Sequence, residues 1–166
     1  MSPAGVQVET ATLHGIPLYD GDREQSEGLP YSVIQLKARV VASDALLLAT
    51  PEYNNGIPGV FKNAIDWLSR PPEDIPHVFG GRPVALIGAS PGSFGTIRSQ
   101  NDWLPVLRTL GTVHRAGSRL LVSRAHNVFG ESGEMTDDPV REKLTRFMQQ
   151  YAQFVKTHRV NEAAPS

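Results

Sequence analysis

Apolar residues along this chain fall into two kinds of pattern, short continuous runs and longer stripes that return every three or four positions. The run Ala45 to Ala49 ends at Thr50-Pro51, where a helix could not continue without losing a backbone donor, so it predicts a buried strand. A polar turn follows, Glu52-Tyr53-Asn54-Asn55-Gly56. Pro58 then opens a segment in which Val60, Phe61, Ala64, Ile65 and Leu68 share one helical face. The same grammar recurs further on. Pro83 to Gly88 reads as a second, fully buried strand, and it runs into the small-residue stretch Ala89-Ser90-Pro91-Gly92-Ser93-Phe94-Gly95. A helix from Thr96 to Leu110 is expected next, carrying Ile97, Trp103, Leu104, Leu107 and Leu110, with Pro105 bending or splitting it.

Weaker signals fill the remainder. Alternation from Val6 to Leu13 predicts a strand, and Gly15 to Gly21 a loop stapled by Leu18 and Tyr19. Pro30 opens a helix to about Ala42, with Val33, Leu36, Val40 and Val41 facing inward. Pro71 to Pro76 holds too much proline for helix or interior strand and reads as a connecting loop. Arg119 to Val122 is a short strand, and Ser123 to Asp137 a loop in which Asn127 and Phe129 either border a site or plug the core. From Pro139 to about His158 an amphipathic helix presents Val140, Leu144, Phe147, Tyr151, Phe154 and Val155. One α/β domain over residues 1–160 and a frayed tail over 161–166 are expected.

Composition narrows the partners. A formal net charge of −1 offers no electrostatic case for nucleic acid or an anionic membrane. No apolar run approaches the roughly 18 residues a membrane span needs, and the opening MSPAGVQVET lacks the layout of a signal peptide, so the cytoplasm is the expected compartment. The absence of cysteine excludes disulfides, thiolate metal sites and a cysteine nucleophile, and the five histidines are scattered, so no metal is expected.

In open parallel sheets a ligand sits beyond the carboxyl ends of the strands, which is where the turns after Ala49 and Ala89 are expected. Small residues in the second turn let backbone amides come close to a ligand, and the helix after it aims its positive end at the same space. The ordered set Pro51-Glu52-Tyr53-Asn54, Pro58-Gly59 and Lys62-Asn63-Ala64-Ile65-Asp66-Trp67 resembles the signature of the NADPH-dependent FMN reductases, which include quinone, chromate and azo-dye reductases. Thr96-Ile97-Arg98-Ser99-Gln100 resembles that family's helix start, and Gly15 to Gly21 its leucine-proline and tyrosine segment. The resemblance implies a flavodoxin-like three-layer αβα sandwich. It implies FMN held by Pro51, Glu52, Tyr53, Asn54, Asn55 and Gly56 on one side and by Ser90, Pro91 and Gly92 on the other. It also implies NADPH or NADH as donor, a small-molecule electron acceptor such as a quinone, free flavin, azo compound or oxidised metal, and a homodimer or homotetramer. No catalytic side chain is implied. Glu52 reads as a backbone contact whose carboxylate caps the following turn rather than as a general base, and Asn54→Ala is expected to loosen the ring.

The front of the sequence departs from that family. Its first strand, phosphate-binding loop and first helix have no counterpart ahead of Val6, and Ser2 to Gly5 resembles the tail of that helix. A late start is favoured over a shortened paralogue. Since each charge-assisted phosphate contact contributes roughly 1.5–3 kcal/mol, weak or absent FMN binding is expected for the polypeptide as written. A flavin-free structural or regulatory module is the alternative.

Overall fold

The structure, a computed structural model, describes residues 2–117 and 119–158; the expected tail over 161–166 lies outside the described residues. Element order is α1 (Gly21–Glu27), α2 (Tyr31–Val41), β1 (Leu46–Ala49), α3 (Gly59–Leu68), α4 (Ile75–Val78), β2 (Pro83–Ala89), α5 (Ile97–Thr109), β3 (Val113–His114), β4 (Leu120–Val122) and α6 (Asp138–His158). All strand pairs are parallel. β2 is central: β1 lies along one side of it with Leu46 opposite Val84 and Ala49 opposite Ile87. On its other side β3 pairs with Pro83–Val84 and β4 with Ile87–Ala89.

Alternation along β2 builds both faces of the sandwich. Val84 and Leu86 point into a core shared with Leu36 and Val40 of α2, Ile65 and Leu68 of α3, Val78 of α4, and Trp103 and Leu107 of α5. Ala85, Ile87 and Ala89 point the other way, against Leu120, Val122, Phe147 and Tyr151. Four helices therefore cover one face and α6 the other, which is the three-layer αβα architecture the family resemblance implied. α6 is anchored by more than its apolar stripe. The buried Tyr151 hydroxyl donates to the carbonyls of Leu46 and Pro83, at 2.6 and 3.1 Å, where β1 and β2 begin. Burial pushes that phenol well above its ordinary range, so it stays a donor. Tyr151→Phe is expected to destabilise the fold by about 1 kcal/mol in urea denaturation, because two buried acceptors lose their shared donor.

Several expectations are corrected. Val6 to Leu13 forms no strand. A strand needs a ladder partner, and here Arg39 of α2 binds the Glu9 carboxylate and the Thr10 carbonyl, while Val8 is half exposed. β1 is only partly buried, with Ala49 exposed, since among the described strands it has a neighbour on one side alone. Val60 is 63 % exposed and lies off the buried face of α3, whose place Trp67 takes. Pro71 to Pro76 is not plain loop: Pro72–Asp74 forms a 3-10 turn and Pro76 sits in the first turn of α4, where its missing N–H has no helical partner to lose. Pro105 does not split α5, because Trp103 and Leu107 on either side of it are both buried and hold the two halves in one helix. Leu104 points out.

The Gly15 to Gly21 loop is held to α3 by the motif residues themselves. Asn63 accepts from the Tyr19 N–H and donates to the Pro17 carbonyl, each at 2.8 Å. Trp67 Nε1 donates to the same carbonyl at 2.8 Å, and Tyr19 meets the Trp67 ring edge-on at 4.9 Å. Tyr19 staples the loop, whereas Leu18 is 79 % exposed and does not. Lys62 and Asp66 pair across one helical turn on a solvated face, as their spacing predicts, and contribute little to stability.

Candidate functional site

Both turns that the sequence singles out leave the same end of the sheet. β1 and β2 are adjacent and parallel, and the Thr50 N–H continues their ladder to the Ile87 carbonyl at 2.9 Å, so Pro51 and Ser90 start side by side. The first turn closes on itself. Tyr53 and Gly56 exchange backbone bonds of 3.2 and 3.0 Å around Asn54 and Asn55, whose φ values of 50° and 66° are those of a type I′ turn. Asparagine is among the few residues other than glycine that enter that left-handed backbone region with any frequency. Pro51, Tyr53, Asn54 and Asn55 are exposed, and among the described residues neither Asn54 nor Asn55 makes a hydrogen bond.

The second turn is tied from below. Ser90 Oγ donates to the Gly95 carbonyl at 2.7 Å, the Ser90 N–H to Val122 at 2.9 Å, and the Ala125 N–H to the Ser90 carbonyl at 3.0 Å. Arg124 N–H donates to the Gly92 carbonyl at 2.9 Å. Pro91, Gly92, Ser93 and Phe94 stay exposed above these anchors. The strand that follows thus positions the turn.

What joins the two turns was not visible in the sequence. Glu52 Oε2 accepts from the N–H groups of Arg98 and Ser99 at 2.8 and 3.2 Å, so its carboxylate caps α5 rather than the turn next to it. The positive end of that helix, expected to face a ligand, is therefore occupied in part by Glu52. Beneath it, Thr50 Oγ1 and Ser99 Oγ share a buried bond of 2.8 Å, and Trp103 Nε1 donates to Thr50 Oγ1 at 3.1 Å. Gln100, wholly buried, donates to Thr96 Oγ1 and to the Leu120 carbonyl, both at 3.1 Å. Gly88 lies at the crossing of these bonds, where a Cβ would come within 2.0 Å of Thr96 Oγ1 and 2.3 Å of the Thr50 carbonyl. One rigid floor carries both tips.

Of the other candidates, Asn127 is exposed and Phe129 packs against the α6 side of the core, so Phe129 takes the core-plugging role. Phe94, 76 % exposed, and Tyr53, 59 % exposed, stand on the two tips as flat apolar surfaces; Phe94 carried no signal in the sequence beyond its place in a turn. Among the described residues no group of acidic, histidine or cysteine side chains could hold a metal ion. A depression of about 470 Å³ lies at the far end of the sheet, lined by Leu104, Pro105, Arg108, Gly111, Thr112 and His114. It is open and mostly apolar, and burial together with nearby Arg119 lowers the His114 pKa, so it supplies no paired chemistry and the strand tips remain the candidate.

Paired exposed tips with unused donors, over a floor that fixes them, match the sequence signature they carry, and the profile of the NADPH-dependent FMN reductases matches residues 1–127. The chain belongs to that family. It is 42% identical over 147 residues to an NAD(P)H-dependent FMN reductase of Pseudomonas aeruginosa, covering 89% of this chain and 77% of that protein. A 2-hydroxy-1,4-benzoquinone reductase of Burkholderia sp. is 32% identical over 160 residues, 96% of this chain and 85% of the relative. The Escherichia coli K12 quinone reductase is 32% identical over 158 residues, covering 94% and 82%. Among solved structures, the Paracoccus denitrificans flavoenzyme NAD(P)H:(acceptor) oxidoreductase FerB superposes with a TM-score of 0.78 at 32% identity, over 89% of this chain and 79% of that one. The family member described here is thus an oxidoreductase that pairs FMN with a nicotinamide donor.

Proposed function

We propose that this chain is an NAD(P)H:acceptor oxidoreductase whose flavin ring lies between the Pro51–Gly56 and Ser90–Gly92 turns, with a quinone as acceptor. One observation carries the reading: two turns on adjacent strand ends, tied together by Glu52, expose polar groups that no protein partner uses. FMN, when bound, supplies a ring that takes up a hydride and gives up its electrons to an acceptor. The Asn54 and Asn55 amides suit the carbonyls and nitrogens along such a ring's polar edge, and donors held there favour its reduced, more negative form. Tyr53 offers a flat wall, and Gly92 lets the backbone come within contact distance. Glu52, engaged with two helix amides, serves the shape of the slot and abstracts no proton.

The relatives named as quinone reductases support a planar, small-molecule acceptor, and a flavin-free module finds no support in a family of reductases. Exposed Leu18, Tyr31, Ile34 and Val60 on the α2 and α3 side favour a homo-oligomer, and no helix among the described residues is long and apolar enough to cross a membrane. A cytoplasmic site of action completes the proposal.

The test is direct and allows for the weak uptake expected from the sequence: titration to high FMN concentration should quench the flavin's fluorescence, and in that excess of FMN the protein should oxidise NADPH or NADH in the presence of a quinone. Protein that takes up no flavin and oxidises neither nucleotide would refute the proposal. Asn54→Gly, which keeps the left-handed backbone while removing the amide, is expected to raise the flavin dissociation constant about fivefold in fluorescence titration, the loss of one hydrogen bond of about 1 kcal/mol.

A further inference from the structure

Three residues other than glycine hold a positive φ among those described, Asn54, Asn55 and Arg124, and all three sit where strands end at the candidate slot. Asparagine is at home there. Arginine is not, and at φ 49° its Cβ is crowded in a way that glycine would avoid. Strain of this kind persists where surrounding structure over-determines it, and it gathers at sites that use the side chain. Here the surrounding structure is plain: the Arg124 N–H is fixed to Gly92, its carbonyl accepts from Asn127 at 2.8 Å, and the neighbouring Ala125 N–H is fixed to Ser90.

The side chain itself has no role in the fold. Arg23, Arg39, Arg70, Arg82, Arg119 and Arg141 each bind a protein group. Arg124 is exposed and its guanidinium has no hydrogen bond or ion pair among the described residues. Arg98, at the start of α5, is likewise exposed with a guanidinium that binds nothing; of the acids of this region, Glu52 is taken up by backbone amides, and Asp102, one helical turn beyond Arg98, reaches Gly56 of the first turn. Asp102 offsets Arg98 there, so the free positive charge at this end of the sheet is that of Arg124.

We propose that Arg124 is a specificity-determining residue that binds a phosphoryl group of the incoming nicotinamide nucleotide, resting on the flavin reading given above. A guanidinium fork matches two phosphoryl oxygens at once, and an exposed contact of this kind weakens with salt. Two phosphoryl sources exist on such a donor, the 2′-phosphate that distinguishes NADPH and the pyrophosphate shared with NADH.

The experiment compares wild type, Arg124→Gly and Arg124→Lys as FMN-loaded proteins. Glycine is allowed at this backbone, so the variant folds and should melt at or above the wild-type temperature. Calorimetric binding of 2′,5′-ADP and of 5′-ADP is read beside kcat/KM for NADPH and NADH. A five- to tenfold loss for 2′,5′-ADP, with an equal fall in the NADPH to NADH ratio, supports contact at the 2′-phosphate. Parallel losses of that size for both nucleotides and for 5′-ADP support contact at the pyrophosphate. Lysine should keep part of the affinity in either case. Affinities and ratios that match wild type in Arg124→Gly overturn the proposal. Wild-type protein that takes up no FMN fails at the earlier step and refutes the flavin reading on which this one rests.

Discussion

Gly88→Ala is expected to destabilise the protein by about 3 kcal/mol in urea denaturation and to abolish ordered flavin uptake at ordinary concentrations. The position lies in the middle of the β2 to β4 ladder, opposite Leu121, so the strand cannot slide to make room. A new methyl carbon would meet Thr96 Oγ1 at 2.0 Å, the Thr50 carbonyl at 2.3 Å and Thr96 Cγ2 at 2.9 Å. Thr96 could rotate, though only by giving up the bond from Gln100, and the Thr50 carbonyl is backbone at the root of the first turn. Relief therefore has to come from separating β1 from β2 or lifting α5, and either movement parts the two tips. A loss of stability below about 1 kcal/mol would show that the floor is softer than its bonds suggest.

Glu52→Ala is expected to act on the same geometry from above. Two helix N–H groups lose a charged acceptor, which in partly buried settings destabilises a helix start by about 2 kcal/mol. Without that tie the Pro51–Gly56 turn keeps its internal bonds but is no longer fixed to α5, so the slot must be ordered again on each binding event. The flavin dissociation constant should rise ten- to thirtyfold, and Glu52→Gln, which retains an acceptor oxygen without the charge, should fall between. An unchanged flavin affinity in Glu52→Ala, measured by fluorescence titration, would separate the carboxylate from the site.

These two variants also mark where the sequence is legible. Ala45 to Ala49 and Pro83 to Gly88 are apolar runs closed by proline or small residues, and local chemistry suffices to read them as strands. The Asn54-Asn55-Gly56 turn is legible for a similar reason, since few other residue types accept that backbone. Burial of a strand is another matter. Whether β1 has one neighbour or two depends on distant segments, and so does the fate of Val6 to Leu13, whose alternation is suitable for a strand but whose polar groups found Arg39 instead. Glu52 is 46 residues from the helix it caps, a partnership that no local pattern encodes. Arg124 was missed because an arginine after a strand looks like any solvated charge; only its φ reveals that something holds it there. In the opposite direction, Asn63, Asp66 and Trp67 were visible as a motif and turn out to serve the fold, two of them by pinning Pro17 and one by pairing with Lys62.

Amide NMR during titration with FMN bears most directly on the slot. The largest shift changes should fall on Tyr53, Asn54, Asn55, Gly92 and Ser93, at the tips of two neighbouring strands. Changes centred on Leu104, Thr112 and His114 at the far end of the sheet, with the tips unmoved, would place the flavin elsewhere and contradict the assignment.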